Sequence, residues 1–528
     1  MGALDYIWAG ILAVFLGPEA FTLFGVYVSI TVVMVLSGLA VGVVVGATPG
    51  LGQVIALAIS LPILISTFGF NPDALLPVMG FMIGIMKGAT VGGAVPAILF
   101  NTPGTPDAYM TTLDGYPMTQ RGEARKALRV AHLSSVSGDT FSDICLFIFA
   151  PFLAILVERY LDLPEKTALI LLSLSFIAAI VGREPAKGLL AAALGLLFVY
   201  IGTGEEFYAR LSLGQDALSD GIPITAAVIG TLVIGSVFSE LEKLWREKAL
   251  SGQITAVHQA GDSRLSWADI RRIAPFIGRS AVIGTGIGAL PGIGSVLAAT
   301  LGYSTGRAVH ARRKNTDTPE FGKGAPEGIA ATEAANSSVS GANLIPVLSL
   351  GIPGNTAAVF LILAADTIGG FNPGPGVFRF TQEVNPELVL AFGLFTTMVI
   401  ANLANWTVGG VLMRSMGAMT RIPKHLLLPV VLLLTFASLY VQETSMSVLV
   451  FALFFGGLGY GMLKLGITPL PFVIAFVLGR QLEDTARQAF SATGGDPFFL
   501  VSSPTAALFC LGAVGVVVLS MRRRPKRP

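Results

Sequence analysis

Along this chain, apolar stretches long enough to cross a membrane alternate with polar loops from one end to the other. A hydrocarbon core needs about 20 residues of helix. Apolar runs near that length lie at 24–46, 74–99, 139–157, 222–240, 386–410, 424–441, 444–463 and 504–521. Shorter runs lie near 51–66, 167–182, 187–202, 274–290, 294–306, 340–351, 356–369 and 467–480. Several are bounded by Pro-Gly and are too short for a full crossing, which suits re-entrant or broken helices. The pattern predicts an all-α polytopic membrane protein with roughly 10–13 transmembrane helices plus re-entrant or broken ones. Polar loops separate the runs, and the longest, 241–272, reads as a linker between two halves.

Composition agrees with that reading and narrows it. Of 528 residues, 53% are hydrophobic and 12% charged, about half the charge of a soluble domain, and the mean hydropathy is +0.74. A soluble enzyme is excluded. Lys and Arg (34) nearly cancel Asp and Glu (32), so there is no basic field for nucleic acid. Glycine, at 62 residues, has no collagen period and points to glycine-rich helices. Cys145 and Cys510 read as buried small hydrophobes, and His132, His258, His310 and His425 as interfacial or solvated. No metal-ligand set emerges. No Lys or Arg precedes Lys87, and Asp5 and Glu19 interrupt the first apolar stretch. Residues 1–23 therefore read as an interfacial segment rather than a signal peptide.

The two halves repeat. Gly46-Ala47-Thr48-Pro49-Gly50-Leu51-Gly52-Gln53 returns as Gly288-Ala289-Leu290-Pro291-Gly292-Ile293-Gly294-Ser295, an offset of 242. Pro96 to Thr105, ending Asn101-Thr102-Pro103-Gly104-Thr105, faces Pro346 to Asn355, ending Gly351-Ile352-Pro353-Gly354-Asn355, an offset of 250. The expected divisions are repeat 1 at 24–245, a polar linker at 246–272, repeat 2 at 273–500, and a carboxy-terminal helix with basic tail at 501–528. Charge separates the repeats. The loop after the second motif carries Arg121, Arg125, Lys126 and Arg129, but its counterpart near 365–379 holds only Arg379. The loop near 65–73 has no Lys or Arg, whereas its counterpart carries Arg307, Arg312, Arg313, Lys314 and Lys323. Cytoplasmic loops collect Lys and Arg, so equivalent loops are expected on opposite faces, as in two inverted-topology repeats. The tail Arg522-Arg523-Arg524-Pro525-Lys526-Arg527 is expected to be cytoplasmic.

Paired, interrupted helices point to a transport site at mid-membrane. A Pro-Gly break frees carbonyls on one side and opens a helix amino terminus on the other. Freed N–H groups favour a carboxylate, and unwound carbonyls and hydroxyls suit a cation such as sodium. The candidate substrate-binding residues are Thr48, Pro49 and Gly50; Asn101, Thr102, Pro103, Gly104 and Thr105; Pro291, Gly292 and Ser295; and Pro353, Gly354, Asn355 and Thr356. Thr105 and Asn355 hold cap-like positions after Pro-Gly. Alternatively, the breaks are packing kinks whose hydroxyls bond their own backbone. One helix terminus is worth about 0.3–1 kcal/mol to an anion, and burying one charge costs several kcal/mol. A dry site for a di- or tricarboxylate therefore needs a cation, water or a basic group. Lys87 is the candidate base, as a substrate contact or as a snorkelling residue near a helix end. Asp139 and Asp143 share a helical face and read as a proton relay or, more simply, as caps of a helix start beginning near Ser137-Gly138. Glu333 reads as an ordinary first-turn acid.

At these residues the sequence resembles the large membrane subunit of tripartite tricarboxylate transporters. The resemblance is carried by 46–52, by 92–105, by Thr111-Thr112-Leu113-Asp114-Gly115-Tyr116-Pro117, and by Gly182-Arg183 and Asp220-Gly221. It continues at 291–294 with Tyr303, at Glu333-Ala334-Ala335-Asn336 on to Pro346, at Leu350 to Gly354, and at Pro373-Gly374-Pro375. It implies cation-coupled uptake of an organic carboxylate across the bacterial inner membrane. It also implies a small partner membrane subunit and a periplasmic solute-binding protein. No cofactor beyond the coupling cation, expected to be sodium, is implied. Lys87 departs from the pattern, which has an aromatic residue before Gly88-Ala89. Two other readings stay open: a stand-alone secondary anion transporter and, remotely, a membrane-embedded enzyme, although no catalytic motif lies in an apolar run.

Overall fold

Proline and glycine set many of the helix boundaries, and glycine sets how closely the helices pack. The computed structural model describes residues 2–522 except 24, 49–50, 181–183, 203–209, 213, 220, 248–264, 293, 313–318, 380–383 and 416–423. Pro49, Gly50, Gly182, Arg183, Asp220, Ile293, Arg313, Lys314, His258, most of the linker and the tail beyond Arg522 thus lie outside the described residues. Helix α1 (Ala3–Phe15) leads into a hairpin, β1 (Glu19–Leu23) and β2 (Val26–Ser29). The chain continues with α2 (Ile30–Gly46), α3 (Gly52–Phe68), α4 (Leu75–Phe100), α5 (Tyr109–Gln120), α6 (Ala124–Tyr160), α7 (Leu163–Ile180), α8 (Pro185–Val199), α9 (Ile224–Ile229) and α10 (Gly235–Glu247). Past the linker come α11 (Trp267–Gly288), α12 (Ser295–Arg312), α13 (Pro326–Ala342), α14 (Leu344–Leu350), α15 (Thr356–Ile368), α16 (Pro386–Ala404) and α17 (Gly410–Ser415). The last are α18 (Lys424–Glu443), α19 (Met446–Lys464), α20 (Leu470–Ala492) and α21 (Pro504–Arg522). One π-helical turn each joins α9 to α10 and α16 to α17.

Six described helices are long and apolar enough to cross a membrane, and six shorter apolar helices accompany them. The protein is an all-α polytopic membrane protein. Helix α21 leaves Leu508, Leu511, Val514, Val518 and Leu519 exposed, a face suited to lipid. Helix α1 packs on α16, where the Tyr6 hydroxyl accepts the Asn385 N–H at 3.0 Å.

The tightest contact is between α2 and α4. Gly38, Gly42 and Gly46 on α2 mesh with Gly84, Gly88 and Gly92 on α4, all at steps of four. A Cβ added at Gly42 would stand 2.4 Å from the Ile85 carbonyl oxygen, and one at Gly88 2.3 Å from that of Leu39. Without side chains at the seam the two backbones touch, the small-residue packing that membranes favour. The second half has a comparable close approach, in which a Cβ at Gly284 on α11 would lie 2.2 Å from the Ala335 oxygen on α13.

Packing partners recur at the sequence offsets. Helix α2 packs on α4 as α11 does on α13, and α3 on α4 as α12 does on α13. The hairpin partners cross over, so that α15 packs on α3 and α4 while α5 packs on α12 and α13. Accordingly, the end of α5 meets the loop after α12. Arg121 donates to the Lys323 and Gly324 carbonyls at 2.5 and 2.7 Å, and Asp114 Oδ1 accepts the N–H groups of Gly322, Gly324 and Ala325 at 2.8–2.9 Å. At the opposite end of the bundle Gly370, after α15, lies against Pro72, before α4. Asp114→Ala is expected to cost about 1.5–3 kcal/mol, the range for hydrogen bonds to a charged group. The readouts are the thermal midpoint and tryptic cleavage after Lys323, and no change in either would remove Asp114 from this role.

Candidate functional site

The starts of helices from both halves converge on one narrow cleft of about 10 Å³, closed down to the room of about one water molecule. Gln53 comes from the first turn of α3 and Ser295 from the first residue of α12. Asp107 lies in the 3-10 turn that leads into α5, and Asn355 caps α15. Met86 and Thr90 of α4 face Asn336, Val339 and Ser340 of α13 across it. Lining residues fall in pairs at the two motif offsets: Gln53 with Ser295 at 242, and Met86 with Asn336 and Thr90 with Ser340 at 250. Asp107 lies against Ser295 and Thr105, which gathers a carboxylate and two hydroxyls. Asn336 is 2% exposed, and neither polar atom of its amide has a hydrogen-bond partner.

The breaks are built from backbone contacts. Gly104 N–H donates to the Gly93 oxygen at 3.3 Å, and a Cβ there would lie 2.2 Å from the Gly46 oxygen. Gly292 N–H donates to the Gly354 oxygen at 2.8 Å, tying the two second-half breaks together. The positive φ of Gly292, +79°, permits this turn. Gly354 itself lies close over the Asn343 amide. Asn355 Oδ1 accepts the Ala358 N–H at 2.8 Å, as a cap should, which leaves its amide N–H groups for the cleft.

Several expected residues do other work. Thr105 is buried beside Asp107 but does not cap through its side chain. Thr48 donates to the Val44 oxygen and Thr102 to the Phe100 oxygen, so for these two the backbone-bonded alternative holds. Asn101 ends α4 in the left-handed conformation, φ 53°, and is exposed. Pro103, Pro291, Pro353 and Thr356 shape the breaks without lining the cleft. Met86, Thr90, Asp107, Asn336 and Ser340 were missed by sequence reasoning. The 250 offset and the i, i+4 spacing of 86 with 90 and of 336 with 340 could have found four of them.

The largest departure concerns charge. Lys87 neither snorkels nor faces the cleft. It is 2% exposed in mid-α4 and donates to Asp139 Oδ2 at 2.8 Å, Asp143 Oδ2 at 2.7 Å and Asn402 Oδ1 at 3.2 Å. Asn402 Nδ2 donates to Asp143 Oδ2 at 2.7 Å. Asp139 and Asp143 cap nothing, because α6 starts at Ala124 and runs through them. Glu333 likewise sits mid-helix, since α13 begins at Pro326, and its buried carboxylate accepts from Thr111 and Ser135. His310 is buried against Phe321, and the two cysteines are only half-buried.

A wider cavity of about 860 Å³ opens at the carboxy-terminal end of α15, lined among others by Asp366, Asn372, Glu387, Arg480, Gln481 and Asp484. It reaches Gly351 at the fourth break. At the other end of the bundle the Asp114 and Arg121 contacts hold α5 to the 322–325 loop.

Among known proteins, the model of the tripartite tricarboxylate transporter TctA family matches residues 32–474. An uncharacterized 52.8 kDa protein in the TAR-I ttuC' 3' region of Agrobacterium vitis is 32% identical over 497 residues, 93% of each chain. An uncharacterized protein in the TAR-II ttuC' 3' region of the same organism is 34% identical over 238 residues, 44% of this chain and 93% of that one. No solved structure matches.

Proposed function

The chain belongs to the tripartite tricarboxylate transporter TctA family, and we propose that it is the large permease subunit of a secondary transporter that imports an organic carboxylate with a cation by alternating access. The carrying observation is the convergence of helix starts from both halves on the cleft of Gln53, Asp107, Ser295 and Asn355. Helix starts present N–H groups and the positive end of the dipole to an anion. Each is worth about 0.3–1 kcal/mol, too little alone against the several kcal/mol that burial of a charge costs. Asp107 adds a negative charge where the substrate would bind, so a cation must sit between them. The Asp107 carboxylate with the Thr105 and Ser295 hydroxyls offers the hard oxygen ligands that sodium takes.

Alternating access is favoured by the asymmetry of the two ends, with a wide cavity beside α15 and α5 hydrogen-bonded to the 322–325 loop opposite. The crossed packing of α5 and α15 and the reversed loop charges support repeats of inverted topology. On this reading the basic stretches at 121–129, around the start of α6, and at 307–323, from the end of α12 onward, face the cytoplasm together with the carboxy terminus. The protein then sits in the bacterial inner membrane with a small membrane subunit and a periplasmic binding protein as partners.

Thr105→Ala, Asp107→Asn and Asn355→Ala are expected to abolish sodium-dependent uptake of a labelled carboxylate panel by cells carrying all three subunits, with membrane expression retained. Wild-type uptake in all three variants would sink the site. Undiminished uptake in cells lacking the binding protein would return the stand-alone alternative.

A further inference from the structure

The buried cluster behind the cleft has a charge count that does not close. Lys87 supplies one positive charge, and Asp139 and Asp143 supply two negative ones, buried on α4 and α6, two of the helices long and apolar enough to cross a membrane. The three ammonium N–H groups are all used, on Asp139, Asp143 and Asn402. The remaining oxygen of each aspartate, Oδ1, is buried with no hydrogen-bond partner. An uncompensated buried charge is strongly destabilising, and two orphaned acceptors add to that cost. One further positive charge placed on those oxygens would remove the excess charge.

Building on the transporter reading above, we propose that Asp139 and Asp143, held by Lys87 and Asn402, form a proton-binding site that takes up and releases one proton per transport cycle. Geometry selects a proton over a metal cation. A hard cation needs about six oxygen ligands, but the α13 backbone closes over this site. A Cβ at Gly341 would lie 2.2 Å from Asp143 Oδ1 and 2.7 Å from Ser142 Oγ. A proton needs only one Oδ1 and no space. On uptake, one O–H bond of a hydronium ion breaks and one forms on a carboxyl oxygen. On release the reverse occurs, and nothing is oxidised or reduced.

The site is placed to act on the cleft. Met86 lines the cleft and Lys87 follows it on α4; Ser340 lines the cleft and Gly341, against Asp143, follows it on α13. Protonation therefore changes the charge behind the same two helix turns that hold substrate in front. Of the other ionisable side chains on the elements packed against α4 and α6, Asp107 lines the cleft, Glu327 is buried in the first turn of α13, and several more are held by contacts of their own. Glu333 of α13 accepts from Thr111 and from Ser135, one turn before Asp139, and Asp114 of α5 binds the 322–325 loop. Asp269 of α11 pairs with Lys126, Arg279 of α11 lies over Phe276, and His132 of α6 bonds the Asn405 carbonyl. Glu387, in the first turn of α16, accepts the Asn372 N–H.

The test is infrared difference spectroscopy of the purified full chain in lipid nanodiscs, titrated from acid to alkaline pH. Wild type is expected to lose a protonated-carboxyl band that is absent from both Asp139→Asn and Asp143→Asn and is kept in Glu333→Gln. Asn402→Ala, which retains both carboxylates, should keep the band but move the pH at which it disappears. A band that survives in both aspartate variants, or no band in wild type, overturns the proposal. In vesicles carrying all three subunits, with citrate as probe, an acid-outside gradient should give about tenfold accumulation per pH unit for one coupled proton. The aspartate variants should exchange citrate but not accumulate it, and gradient-driven accumulation in either overturns the proposal. Absence of exchange in wild type of citrate and of every other carboxylate in the panel would count against the transporter reading, while the infrared titration would still decide the proton site.

Discussion

Gly42→Ala should leave little folded protein in the membrane, whereas Gly286→Ala, on the outer surface of α11, should be accepted. On helix propensity alone both changes are favourable, by about 0.5–1 kcal/mol. Gly286 has open space around it and keeps that gain. At Gly42 the added carbon would meet the Ile85 oxygen at 2.4 Å, the Ile85 Cα at 2.8 Å and the Ala89 nitrogen at 2.9 Å. All three are backbone atoms of α4, so no side chain can turn aside. Relief requires α2 and α4 to move apart, which also loosens Gly38, Gly46, Gly84, Gly88 and Gly92. Ordinary overpacking costs about 1–3 kcal/mol, and a rigid seam puts this change at or beyond the upper end. The measurement is membrane yield and thermal midpoint of both variants, with Gly88→Ala from the facing helix as a repeat. A Gly42→Ala midpoint equal to wild type would mean that α2 and α4 do not meet at this seam.

Those glycines show what could and could not be read from the chain. Their spacing of four was visible at 38, 42, 46 and 80, 84, 88, 92, yet a small-residue stripe does not name its partner helix. The Pro-Gly breaks were legible because proline and glycine act locally on the backbone, and they do mark the helix starts around the cleft. Residues just before a break were misjudged: Asn101 lies at the breakpoint, but the left-handed turn there carries it outward. Glu333 was misplaced because the helix start was set too late, although Pro326-Glu327 is the ordinary signal for a first turn. The cluster around Lys87 could not be read at all. Its acids lie 52 and 56 residues away and Asn402 lies 315 away, and only the fold brings them to one point.

That cluster carries the second large effect. Lys87→Met is expected to cost about 3–5 kcal/mol, the cost of breaking a buried ion pair from one side. Methionine matches the lysine stem in length, so packing changes little and the loss reports charge. Two carboxylates then share a dry site with only Asn402 to solvate them. The deficit should be largest at alkaline pH, where both carboxylates are ionised, and should shrink as pH falls, because protons can replace the missing ammonium. The triple variant Lys87→Met/Asp139→Asn/Asp143→Asn keeps the shape and removes every charge. It should regain most of the stability, since replacing a whole buried ion cluster by neutral groups is often neutral or better. Asp139→Asn alone leaves a one-to-one pair of Lys87 with Asp143 and should stay close to wild type. Thermal midpoints of the four proteins in one detergent, at two pH values, make the comparison. If the triple variant is as unstable as Lys87→Met, shape rather than charge holds α4 to α6, and the excess negative charge is not what this site must neutralise.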